Sequence, residues 1–151
     1  MDAPTVTVLN GPNLNLLGTR EPAVYGTATL EDLRDLCART CEELGLVLDF
    51  AQTNGEGELV ELVQRARGRS TGLVINAAGY THTSVALRDA VVASELPTIE
   101  VHLSNVHARE EFRRHSFLSD VVSGVIVGCG AQGYRFALER IAELTRPSRS
   151  A

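Results

Sequence analysis

Five times along this chain a short run rich in valine and isoleucine is followed by a stretch whose apolar residues recur at helical spacing, and that alternation points to a parallel sheet covered by helices. Parallel neighbours need a long crossover between them, which the helical stretches supply. The strands are expected at Thr5 to Leu9, Leu46 to Phe50, Leu73 to Ile75, Thr98 to His102 and Val125 to Val127. Thr29 with Asp32 three residues later marks a helix start; Leu30, Leu33, Cys37, Cys41 and Leu44 then share one face, and Gly45 suits its end. Leu59, Leu62, Val63 and Ala66 stripe the next helix, and Gly68 and Gly72 bracket its exit. Val85, Ala86, Ala90 and Val91 lie in the third, a short helical piece is expected around Glu110 to Arg113, and the last helix packs through Tyr134, Ala137, Leu138, Ile141 and Leu144. Five such units fit an α/β, flavodoxin-like, doubly wound sheet of order 2-1-3-4-5 with helices on both faces. Ligands of such sheets bind beyond the carboxyl ends of the strands, in the crevice between strands one and three. A length of 151 residues, 44% of them hydrophobic, fills one core, so a single domain over 1–151 is expected, with a polar, disordered tail from Arg146 to Ala151.

Composition narrows the function. A net charge of −5 lacks the basic excess that phosphate backbones require, so nucleic acid is not an expected partner. All 14 cationic side chains are arginines, and without lysine no mechanism through a lysine imine is possible. No apolar run approaches membrane-spanning length and Met1 to Pro4 opens no leader, so a cytoplasmic protein without membrane contact is expected. Cys37, Cys41 and Cys129 read as buried free thiols, with no further ligands at metal-site spacing. Gly128-Cys129-Gly130-Ala131-Gln132-Gly133 matches a dinucleotide-binding pattern, but it belongs to the last strand–helix unit, with no later strand to supply a ribose-binding acid. These glycines read instead as close strand–helix packing.

Three polar segments follow strands one, three and four, and the expected topology gathers them. The first, Asn10 to Gly26, is too long for a turn and reads as a binding loop or lid, with Gly18 and Gly26 on either side of Arg20 and Tyr25. Taken singly, Arg20 is also a solvated charge and Tyr25 half-buried packing. The second offers Asn76, whose amide both donates and accepts, and His82 ahead of a helix start at Thr83 or Ser84; structural and ligand-binding readings of His82 stand level. In the third, alternation puts Glu100 and His102 on one strand face, so the carboxylate can orient the imidazole and favour its protonated form, as general acid catalysis needs. Ser104 follows with a hydroxyl and a backbone N–H suited to a carboxylate, while a purely structural His–Glu pair is the other reading.

Asn10-Gly11-Pro12-Asn13-Leu14 with Arg20-Glu21-Pro22 and Tyr25-Gly26 resembles the opening signature of the type II 3-dehydroquinate dehydratases. Thr81-His82-Thr83-Ser84-Val85-Ala86 with Asp89, Glu100 to Asn105, Arg109 to Arg113 and the turn ending in Gly133-Tyr134 resemble that family in order and spacing. One departure is Ala77, where the family usually has proline after the asparagine. The resemblance implies a cofactor-free hydro-lyase of the shikimate pathway that dehydrates 3-dehydroquinate through an enolate, with catalytic residues Tyr25, Arg20, Asn13, His102 and Glu100. It implies Asn76, Ser104 and Leu103 as carboxylate binders, His82 and Arg113 as binders of ring hydroxyls, Asp89 as a neighbouring subunit's contribution, and a homododecamer built as a tetramer of trimers. The competing expectation is a flavodoxin-like module that binds a flavin or phosphate without chemistry.

Overall fold

The computed structural model describes residues 2–19 and 21–147, so Met1, Arg20 and residues 148–151 lie outside the described residues. Strands β1 (Thr5–Asn10), β2 (Val47–Gln52), β3 (Gly72–Asn76), β4 (Thr98–His102) and β5 (Gly124–Val127) form one parallel sheet of order β2-β1-β3-β4-β5, as the alternation predicts. The long helices are α2 (Leu30–Leu44), α3 (Glu56–Ala66), α4 (Val85–Ser94) and α5 (Gln132–Thr145). The loop after β1 holds a 3-10 turn, Leu14–Leu16, and a one-turn helix, α1 (Pro22–Tyr25), which periodicity over so few residues could not reveal.

Alternation along the strands divides the core into two layers. Val6, Val8, Val74, Ile99 and Val101 pack with Leu33, Cys37, Leu138 and Ile141 from α2 and α5. Leu9, Leu73 and Ile75 pack with Leu59, Val63, Leu87 and Val91 from α3 and α4 on the opposite face. On β4 this leaves Glu100 and His102 on the face away from Val101. Thr29 caps α2 in a reciprocal box with Asp32, an arrangement worth about 1 kcal/mol, and Gly45 closes the same helix in the left-handed region.

Two expectations need correction. Cys129 is exposed, because it sits on the turn after β5 where the chain leaves the sheet, whereas Cys37 and Cys41 are buried as expected. Leu144 is exposed on the last turn of α5, beyond the reach of the sheet. Arg146 is the residue that follows α5 and pairs with Glu143 at 3.0 Å, while residues 148–151 of the expected tail lie outside the described residues. Among the described residues no helix is long and apolar enough to cross a membrane.

Candidate active site

Beyond the carboxyl ends of β1, β3 and β4 lies a cleft of about 150 Å³, lined by Asn13, Tyr25, Asn76, His82, His102, Leu103, Ser104, Arg109 and Arg113 together with Pro12, Leu14, Leu17, Ala78, Gly79 and Val106. Of the residues expected from sequence, Asn13, Tyr25, Asn76, His82, His102, Leu103, Ser104 and Arg113 therefore share one cavity. Glu100 stands behind His102 rather than in the wall, and Asp89 lies on the exposed side of α4 and does not line the cleft. Arg20 lies outside the described residues.

The end of β1 and the end of β3 are joined at close quarters. Gly11 donates its amide to the Asn76 carbonyl at 2.8 Å, and a Cβ on Gly11 would meet the Ala77 carbonyl oxygen at 2.4 Å, so only glycine lets the two turns approach. Ser84 caps α4 by accepting the Leu87 amide at 2.9 Å, which settles the choice left open between Thr83 and Ser84. In the glycine-rich turn after β5, a Cβ on Gly133 would crowd Ile126, Cys129 and Val101 at 3.3 to 3.6 Å, which is the close packing expected there.

His102 is 5% exposed, and its Nε2 lies 2.5 Å from the Glu100 carboxylate, itself 1% exposed. A carboxylate only accepts, so Nε2 carries a hydrogen and Nδ1 is left for the cleft. Burial pushes the Glu100 carboxyl up, but the hydrogen bond and charge of His102 and the hydroxyls of Ser119 and Ser116 outweigh it and hold the group below its ordinary value of 4.5. His82 donates from Nδ1 to the His115 carbonyl at 2.7 Å, leaving Nε2 for the cavity, and its ring lies near-parallel to His102 with centroids 6.3 Å apart. Burial, against the pull of the His115 carbonyl and with help from His102 and Arg113, lowers the His82 pKa below 6.5. Both imidazoles thus present one ring nitrogen to a ligand.

Asn76 is oriented from behind. Its Nδ2 donates to the Tyr134 hydroxyl at 3.0 Å, its Oδ1 accepts the Ala78 amide at 3.1 Å, and Tyr134 donates in turn to Asn10 Oδ1 at 2.7 Å. Burial pushes the Tyr134 phenol far above its ordinary value, partly opposed by the Asn76 hydrogen bond, so it remains a hydrogen donor. Cations line the opposite wall: the Arg109 guanidinium stands 5.3 Å from the centre of the Tyr25 ring, and Arg113 donates Nε to Glu110 at 2.8 Å. Sequence reasoning assigned no role at the site to Arg109, Ser116 or Ser119, and only a packing role to Tyr134. Arg109 and Tyr134 had a signal, their places in matched motifs, although the bond of Tyr134 to Asn10, 124 positions away, could not be read; Ser116 and Ser119 had none. Among the described residues no three His, Cys, Asp or Glu side chains gather as a metal site would need.

A flavodoxin-like α/β sheet with a small cleft at its topological switch point, walled by arginine, histidine and tyrosine, is an architecture suited to small-molecule chemistry. Residues 4–142 match the family model described as dehydroquinase class II. The chain is 62% identical over 141 residues to "3-dehydroquinate dehydratase 2" of Pseudomonas putida, covering 93% of this chain and 95% of that one. It is also 62% identical over 139 residues to the protein of that name from Pseudomonas aeruginosa, covering 92% and 94%. The crystal structure of the type II dehydroquinase from Propionibacterium acnes superposes with a TM-score of 0.90 at 44% identity, covering 93% of this chain and 97% of that one. The chain belongs to the type II dehydroquinase family.

Proposed function

We propose that this chain is a hydro-lyase that converts 3-dehydroquinate to 3-dehydroshikimate through an enolate, in the shikimate pathway and without metal or organic cofactor. The observation that carries the reading is the meeting in one cleft of Tyr25, Asn76 and His102, from three distant segments, with His102 backed by a buried carboxylate. Tyr25 is the base that takes a proton from the carbon beside the ketone; the guanidinium of Arg109 at its ring, and Arg20 five residues before it, supply positive charge complementary to a phenolate. Asn13 steadies the enolate oxygen through a water. His102, as the imidazolium whose Nε2 hydrogen Glu100 holds, passes its Nδ1 proton to the departing hydroxyl, which leaves as water while the enolate electrons form the new double bond and the ring is left neutral. Asn76, Ser104 and the Leu103 backbone hold the substrate carboxylate, and His82 and Arg113 its hydroxyls.

A cleft of about 150 Å³ suits a single substituted ring better than the fused rings of a flavin, which weighs against a non-catalytic flavin-binding module. Residues 1–151 act as one catalytic domain in this reading. A homododecamer, a tetramer of trimers in which Asp89 serves a neighbouring cleft, is part of the same proposal; Val85 and Val92, 52% and 55% exposed on the same helix as Asp89, are the apolar surface such packing would cover. Free buried thiols suit a reducing cytoplasm.

The deciding experiment follows the ultraviolet absorbance of the conjugated product when purified protein meets 3-dehydroquinate in excess chelator. Turnover is expected, and Tyr25→Phe should lower kcat by about a hundred- to ten-thousand-fold with the fold intact. Absence of turnover by the wild-type protein would overturn the reading. With no lysine in the chain, borohydride added with substrate should leave the enzyme active; covalent trapping of substrate would contradict the enolate route.

A further inference from the structure

A carboxylate as deeply buried as Glu100 needs donors on both oxygens, and His102 supplies only one. The rest come from a single strap, residues 115–120, between a 3-10 turn at Glu111–Arg114 and β5. The Ser116 hydroxyl lies 3.1 and 3.0 Å from Oε1 and Oε2, and Ser119 donates to Oε1 at 2.9 Å. The Ser116 oxygen is fully used, because it also accepts the amides of Leu118 at 3.0 Å and Ser119 at 3.1 Å. The strap is itself anchored: Phe117 donates its amide to the Thr81 carbonyl at 2.8 Å, and Arg88 of α4 donates to the Phe117 carbonyl at 2.9 Å and pairs with Asp120. The same strap offers the His115 carbonyl to His82.

A glutamate carboxyl turns easily about its last torsion, and donors on both oxygens stop that rotation. We propose that Ser116 and Ser119 are positioning residues for the proton-donating step, fixing the plane of the Glu100 carboxylate and, through it, the tautomer and ring orientation of His102. Neither hydroxyl lines the cleft. Their effect on turnover rests on the dehydratase reading; their effect on the imidazole does not. Because they also stabilise the Glu100 anion, losing one lets the carboxyl take up a proton at higher pH.

Ser119 is the cleaner position to test, since Ser116 also holds the turn together, and Ser119 is exposed enough to accept a branched side chain. Ser119→Thr keeps the hydroxyl, whereas Ser119→Val has nearly the same shape without it. For Ser119→Val, kcat should fall about tenfold with little change in KM, and the low-pH limb of kcat should move to higher pH. Ser119→Thr should restore both. In nitrogen-15 spectra, neutral His102 should be protonated on Nε2 alone in the wild type and in Ser119→Thr, and should become a mixture of tautomers in Ser119→Val. A Val variant that merely melts earlier, with the wild-type pH limb and imidazole spectrum, would overturn the proposal. A wild-type protein without turnover would instead sink the dehydratase reading and leave the imidazole spectra to judge the strap.

Discussion

Tyr134 has no solvent exposure, yet its hydroxyl is the hinge of a chain that runs from Asn10 on β1 to Asn76 on β3. Both asparagines are also buried, so each atom of the chain relies on the next for the hydrogen bond that water would otherwise provide. Tyr134→Phe would strand Asn10 Oδ1 and an Asn76 N–H together. Urea denaturation should show a loss of about 2–4 kcal/mol in unfolding free energy. Because Asn76 lines the cleft, the same variant should raise KM for a carboxylate substrate more than it lowers kcat. An unchanged KM would mean that Asn76 holds its orientation without Tyr134.

The turns that follow β1 and β3 behave as one element, since the Gly11 amide is bonded to Asn76 and Gly11 has no room for a side chain against Ala77. Gly11→Ala should push the two turns apart at the floor of the cleft, costing about 1–3 kcal/mol of stability and most of the turnover, read by thermal melting and assay in parallel. Ala77→Pro acts in the opposite sense. Ala77 already has φ −77°, close to the value a proline ring imposes, and Asn76 before it is extended, as a residue preceding proline prefers. The substitution should add about 0.4–1 kcal/mol by restricting the unfolded chain, with turnover retained; a fall in melting temperature would show that the buried site has no space for the ring.

At the scale of the whole molecule, the shifted groups set a pH window for stability. The folded pKa of His82 lies below 6.5 and that of Glu100 below 4.5, so on acidification the unfolded chain takes up protons first and stability falls, from about pH 6.5 downward and more steeply through the carboxyl range. Exposed Glu110 and Asp120, lowered by their bonds to Arg113 and Arg88, act in the same direction. Burial pushes Cys37 up to about 12, helped by Cys41, and pushes Cys41 up to about 11, against an ordinary 9.0. Above pH 9 the unfolded thiols lose protons that the folded ones keep, and stability falls again. Melting temperature against pH should therefore be flat between about 6.5 and 9 and fall on either side; a maximum below pH 6 would contradict this assignment.

Sequence alone determined the strand order, the helix faces and the gathering of three polar segments, because periodicity and capping are local and a parallel α/β chain has few ways to wind. Thr29 with Asp32, the stripe from Leu33 to Cys41 and the pairing of Glu100 with His102 along one strand could all be read within a few residues. The one-turn helix at Tyr25 and the exposure of Cys129 could not, since neither is long enough to carry a period. Only the tertiary structure set Arg109 against the Tyr25 ring, Tyr134 between two asparagines and Ser116 with Ser119 beneath Glu100. Those contacts join residues whose separation in the chain bears no relation to their separation in space, and directional hydrogen bonds form only after the core has brought their elements together.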